Sequence, residues 1–146
     1  MFVFKMQSVL DYRKHIEEKI LASFSKIKRE LEREKDRLKK IARAKEDNVS
    51  QLRKMRNETV HAEDIARYLS FIEQLRQDEK KQKIVIDNVK NQLEEKRKEL
   101  LEAVKKRKVM EKLKEKHRAE YEEESLALEQ KNSDEISVLK YGRREK

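Results

Sequence analysis

Asn57-Glu58-Thr59-Val60-His61 divides the chain into two long, highly charged helix-forming stretches. Asn57 tolerates the left-handed backbone that ends a helix, and Thr59 suits the cap of the next one. Glu63 and Asp64 then fall in a first helical turn, where the helix dipole favours negative charge. The stretch reads as the tip of an antiparallel hairpin. Helix one is expected over about 8–56, the turn over about 57–61 and helix two over about 62–140.

Upstream, Ser8 with Asp11 three residues later makes a capping-box-like start. From there a heptad places Leu10, Glu17, Phe24, Leu31, Leu38, Lys45 and Leu52 at its first seam position. Arg13, Ile20, Ile27, Glu34, Ile41, Asn48 and Met55 take the second. Nine of these fourteen are apolar, which makes a seam, but a broken one. Beyond the tip, the first positions are Ile65, Ile72, Glu79, Ile86, Leu93, Leu100 and Arg107. The second are Tyr68, Leu75, Gln82, Val89, Lys96, Ala103 and Met110, and here ten of fourteen are apolar. Pairs such as Asp36–Lys40, Glu63–Arg67, Glu79–Lys83, Glu94–Lys98 and Glu102–Lys106 lace the outer faces. Each half is a helix that needs a partner.

A turn centred on residue 60 supplies that partner and a register. It sets Leu31 against Val89, Ile27 against Leu93, Ile20 against Leu100 and Met55 against Ile65. Every first-type position then faces a second-type one, as antiparallel coiled coils require. The same register predicts five successive mixed layers: Glu34/Ile86, Leu38/Gln82, Ile41/Glu79, Lys45/Leu75 and Asn48/Ile72. Polar groups in a seam cost stability and leave apolar neighbours partly uncovered, so this zone, with nearby Phe71, is a candidate contact surface. Arg13 facing Arg107 is expected to be unfavourable near the open end.

The second helix outlasts the first, giving a helical overhang at the C-terminal end. It contains Glu122-Glu123-Glu124 and few apolar positions, and lone helices of this kind are marginal in water. Asn132-Ser133-Asp134-Glu135 is expected to interrupt it, ahead of a short amphipathic end with Ile136, Leu139 and Tyr141.

Composition supports helices over a globular core. Of 146 residues, 47% are charged, proline is absent and Gly142 is the sole glycine, and mean hydropathy is −1.13. Without cysteine there are neither disulfides nor thiolate ligands. No apolar run approaches the ~20 residues of a membrane span, and Met1–Met6 lacks the layout of a signal peptide. The net charge of +9 comes from 39 basic residues interleaved with 30 acidic ones, a pattern of solvated helix faces.

The residues offer no reaction centre. His15, His61 and His117 lie far apart, no glycine-rich phosphate loop exists, and Ser8, Ser23 and Ser25 have no visible base. An enzyme, a metal site and a cofactor are not expected. Lys105-Lys106-Arg107-Lys108, Lys39-Lys40 and Arg143-Arg144 carry the charge to touch phosphates, but no aromatic is interleaved to stack bases. Nucleic acid is not an expected partner.

Three segments carry a resemblance. The opening Phe2-x-Phe4 with Val9-Leu10-x-x-Arg13 is similar to the start of the FliJ family of flagellar export proteins. So are Tyr68-x-x-Phe71-Ile72-x-x-Leu75 and the late run Arg107, Glu111-Lys112-Leu113-Lys114, Tyr121, Glu129-Gln130-Lys131, Asp134-Glu135 and Tyr141. The resemblance covers nearly the whole chain. It implies an all-α, two-helix antiparallel coiled coil like the stalk of rotary ATPases. It further implies insertion into the hexameric ring of the flagellar type III export ATPase and contact with the cytoplasmic domain of the membrane export gate. The family is also linked to handling export chaperones. The location it implies is cytoplasmic, held peripherally at the membrane of the flagellar base. By position, the resemblance places Leu10, Arg13, Lys106, Val109, Leu113 and Tyr121 at the ATPase end, and Phe71 and Leu75, with Ile41 opposite, on the gate side. Competing readings are the stalk of a virulence type III secretion system, an unrelated coiled-coil scaffold, or a basic RNA-binding helix pair.

Overall fold

A computed structural model describes residues 1–56 and 61–145. Two helices account for nearly all of them, α1 over Gln7–Met55 and α2 over Ala62–Glu145, packed antiparallel, with no strand among the described residues. The hairpin architecture expected from the two heptads is the one observed. Asn57 and Thr59, expected at the turn and the cap, lie outside the described residues.

Helix ends follow local chemistry. α1 begins one residue before Ser8: the Met6 carbonyl accepts from the Val9 and Leu10 amides at 3.0 and 3.1 Å. Asp11 accepts from the Gln7 side-chain amide at 2.9 Å, so the Ser8/Asp11 capping box is replaced by a Gln7–Asp11 bond one turn apart. Arg53 and Lys54 close α1 and Glu63 and Asp64 open α2, each matching the local end of the helix dipole. The His61 carbonyl accepts the first α2 bonds, from Asp64 and Ile65. Asn132-Ser133-Asp134-Glu135 does not interrupt α2, which is helical through it. None of the four is Gly or Pro, and their individual helix penalties of well under 1 kcal/mol do not break a helix.

The chain packs as two units, Met1–Glu18 with Leu101–Lys146, and Lys19–Leu100. In the second, Leu31, Ile86 and Val89 form a buried cluster flanked by Ile27, Leu38 and Leu93. These are the layers that a tip near residue 60 requires. Ile72 and Leu75 are buried nearer the tip.

The mixed layers are better satisfied than the heptad suggests. Gln82 donates both to the Glu34 carbonyl at 2.9 Å and to its carboxylate at 2.5 Å, and Arg37 donates to the same carboxylate at 3.0 Å. Glu34 is 8% exposed, yet no buried side-chain polar atom among the described residues lacks a partner. Lys45 reaches across to Glu79 at 2.7 Å, which Lys83 also approaches at 3.4 Å. Asn48 turns back to the Ala44 carbonyl. Long polar side chains thus find partners in a neighbouring layer of the seam or on their own helix instead of resting unpaired against the apolar residue opposite.

Replacing Gln82 by Ala removes one donor from the buried Glu34 carboxylate and one from the Glu34 backbone carbonyl, leaving Arg37 on the carboxylate, and is expected to cost about 1–3 kcal/mol in chemical denaturation. Lys90→Ala, at an exposed position, serves as the neutral control. The Lys45 hydrogen bond holds the Glu79 carboxyl below its ordinary value of 4.5, against the opposing pull of desolvation. The stabilisation is complete above that value and is lost as pH falls through the lower folded value. Melting temperature below pH 4.5 should therefore fall less steeply in Glu79→Gln than in the parent chain.

Candidate functional site

The residues assigned to the open end all belong to the unit of Met1–Glu18 and Leu101–Lys146. Its core is Phe4, Leu10 and Met110, with Phe2, Val9 and Leu113 packed against them. Leu10 is 1% exposed, the most enclosed side chain among the described residues. The heptad alone pairs Leu10 with Met110; the structure adds the segment before α1. Phe4 meets the edge of His117 at a centroid distance of 5.7 Å, and Phe2 lies tilted on Tyr121 at the same distance. The Arg118 guanidinium sits 5.5 Å over the Phe2 ring. The Met1 amino group donates to Tyr121 Oη at 2.7 Å and, with Ser125 contributing less, holds that phenol below its ordinary value of 10.0.

Alternation of Phe2 and Phe4 is the signal for this arm, and residues four apart on α2, His117 and Tyr121, receive it. An extended segment advances two residues per side-chain repeat and a helix about four per turn, so the two ladders mesh. A helical repeat carries no trace of such a contact, because one of its two sides is not a helix.

The expected clash of Arg13 with Arg107 does not occur. Arg107 bonds Glu17 across the seam and Glu111 on its own helix at 2.8 Å, while Arg13 turns over the Tyr12 ring at 5.9 Å. Arg107 stays in the seam, where Glu17 one layer along accepts from it, and Arg13 lies against the ring of its neighbour Tyr12. The bond to Glu17 and Glu111 keeps Arg107 charged, raising its already high pKa.

The six candidates at this end differ in access. Leu10 is enclosed, Leu113, Arg13 and Tyr121 are half-buried, Lys106 is exposed and Val109 is 64% exposed. Beyond Ser125, every α2 residue to Arg144 is exposed. Leu126, Leu128, Ile136, Val138, Leu139 and Tyr141 thereby hold their apolar side chains in solvent.

The other three candidates belong to Lys19–Leu100. Phe71 is 51% exposed, Ile41 is half-buried and Leu75 is buried. They are not equally exposed: Phe71 offers a partner the most surface, Ile41 less and Leu75 almost none. Leu75 occupies a seam position and is covered, as its heptad phase requires.

Among the described residues no group of His, Asp or Glu side chains is placed to hold a metal ion, and no helix is long and apolar enough to cross a membrane. What the geometry offers is helix surface. A family model described as Flagellar FliJ protein matches residues 1–146. No curated protein and no solved structure matches the chain.

Proposed function

Since this chain belongs to the FliJ family, we propose that it is a stalk of the flagellar type III export apparatus, entering the ring of the export ATPase by its open end. Membership carries with it a general role in flagellar protein export, as a non-enzymatic protein that interacts with components of that apparatus. The proposal adds which component and by which end. Export-gate contact through Phe71, with Ile41 and Leu75 supporting it from the seam, is its second part, and export chaperones are further partners. The site of action is the cytoplasmic face of the membrane at the flagellar base.

One observation carries the ring assignment: α2 continues as helix from Leu126 to Glu145 with six large apolar side chains in solvent. A single helix in water gains little from propensity alone, and most helical stability comes from packing of an apolar face. A ring lumen surrounds a helix and covers apolar side chains that point to several sides, which one flat partner does not. On this reading Arg13, Lys106, Val109 and Tyr121 offer surface to the ring, while Leu10 and Leu113 hold α1 and the arm against α2.

The test is ATP hydrolysis by the matching purified export ATPase, with and without this chain, together with the fraction of ATPase in hexamers. Stimulation with a rise in hexamer fraction is the expected result. Unchanged hydrolysis and no binding would overturn the stalk reading and leave a charged hairpin with another partner.

A further inference from the structure

Positions Lys105, Val109, Lys112, Lys116, Ala119, Glu123, Leu126 and Gln130 are spaced alternately by four and three residues, the spacing of a coiled-coil seam. All eight are exposed. They do not belong to the seam with α1, which uses Ala103 and Met110, both buried, and the Arg107–Glu17 bond. One face of α2 thus carries a mainly polar stripe, apolar at Val109, Ala119 and Leu126, that nothing in the monomer covers and that has the spacing of a second seam.

Its charges are segregated. The first half holds Lys105, Lys112 and Lys116, and the second holds Glu123. The flanks repeat the pattern: residues 105–118 contain eight basic and two acidic side chains, and residues 119–135 contain seven acidic and one basic. Of the three seam lysines, Lys105 contacts a carboxylate, that of Glu102, at 3.5 Å, and neither Lys112 nor Lys116 forms an ion pair among the described residues.

We propose that two copies of this chain associate through this seam, antiparallel, about a two-fold axis between Lys116 and Ala119. Antiparallel seams pair opposite position types, which sets Lys112 against Glu123, Val109 against Leu126, Lys105 against Gln130 and Lys116 against Ala119 of the second copy. Each layer occurs twice by symmetry, as in any two-fold interface that uses the same patch on both subunits. Ala119 at the centre leaves room for the Lys116 stem, and Glu120 flanks its charge. A parallel pair would stack lysine on lysine and glutamate on glutamate. An anionic bilayer or a nucleic acid would meet the lysines favourably but would be repelled by Glu123 and the acidic run around it. The second copy satisfies both halves at once. The dimer uses Val109 and Leu126, which the export-stalk reading gives to the ring, so the dimer and the ring-bound chain are alternative states, and the test of the dimer contains no ATPase.

The chain has no native cysteine, which makes the register directly testable. Val109 and Leu126 are seventeen residues apart on one helix, about 25 Å, so cysteines placed at both cannot join within a chain. Val109→Cys with Leu126→Cys is expected to give a disulfide-linked dimer under mild oxidation, and either single variant is not. Sedimentation equilibrium on the full chain at up to about 100 µM should show a monomer–dimer equilibrium weakened roughly tenfold or more from low to high salt. Lys112→Glu should raise the dissociation constant by about tenfold or more, and adding Glu123→Lys should restore it. A chain that stays monomeric at low salt overturns the proposal. So does a dimer indifferent to Lys112→Glu, a reversal pair that fails to rescue, or cross-linking no greater than in the single-cysteine variants. Binding to anionic vesicles or to RNA without self-association would do the same.

Discussion

Deletion of residues 126–146 is expected to return ATP hydrolysis by the export ATPase to its rate without this protein, and to leave the rest of the hairpin folded. The deleted segment contributes six large exposed apolar side chains and, among the described residues, no buried one. The Phe4–Leu10–Met110 cluster, the Phe2–Tyr121 and Phe4–His117 ring contacts and the Arg107 ion pairs all lie before the cut. Melting temperature should therefore shift little, since surface segments away from packing contribute within about 0.5 kcal/mol per substitution. Activity and stability separate in one variant. Circular dichroism should lose the helical signal of the deleted residues and keep the cooperative transition of the remainder. Full stimulation by the shortened chain would move the ring-binding surface back to Arg13, Lys106, Val109 and Tyr121.

Leu10→Ala is expected to do the reverse, acting on the fold first. Its side chain is 1% exposed and joins α1, the N-terminal arm and Met110 of α2 in one cluster. Removing a buried leucine side chain costs about 2–5 kcal/mol, transfer and cavity together. The unit of Met1–Glu18 and Leu101–Lys146 has three buried residues in that cluster, so little else compensates. Amide exchange should accelerate over residues 7–18 and 103–121 and change far less around Leu31, Ile86 and Val89. Val109→Ala, on the same helix one residue from Met110 but 64% exposed, should be close to neutral in stability. A loss below about 1 kcal/mol for Leu10→Ala would mean that the cluster is not what holds the arm and α1 to α2.

Access also sharpens how substitutions at the candidate positions should be read. Leu75→Ala perturbs a seam position before it perturbs any partner, whereas Phe71→Ala alters exposed surface. A gate-binding defect in the first is a folding question, and in the second a contact question.

How much was legible depends on the kind of information each feature needs. The hairpin comes from two heptad runs of the same phase either side of residues 57–61, because an antiparallel register is arithmetic on residue numbers. Leu31, Val89, Ile27 and Leu93 meet as that arithmetic requires. Family membership was legible too, since Phe2-x-Phe4, Tyr68-x-x-Phe71 and the run from Arg107 keep their order along the chain, and the family model spans residues 1–146. The polar heads were not. A heptad assigns Arg107 to face Arg13 and Gln82 to face Leu38, but long side chains have several rotatable bonds and choose among partners within about a turn. Arg107 therefore takes Glu17, and Gln82 takes Glu34.

Amino-acid order alone set the helices, their antiparallel pairing and the absence of a thiol, because each rests on the spacing or presence of residue types. Only packing in three dimensions set which of those residues a partner can touch. Leu10 and Val109 are both apolar and both belong to the open end, yet one is enclosed and the other is exposed. The reason is that burial depends on what arrives from elsewhere in the chain. Here the arm of Phe2 and Phe4 closes over one side of α2 and leaves another face, from Lys105 to Gln130, in water.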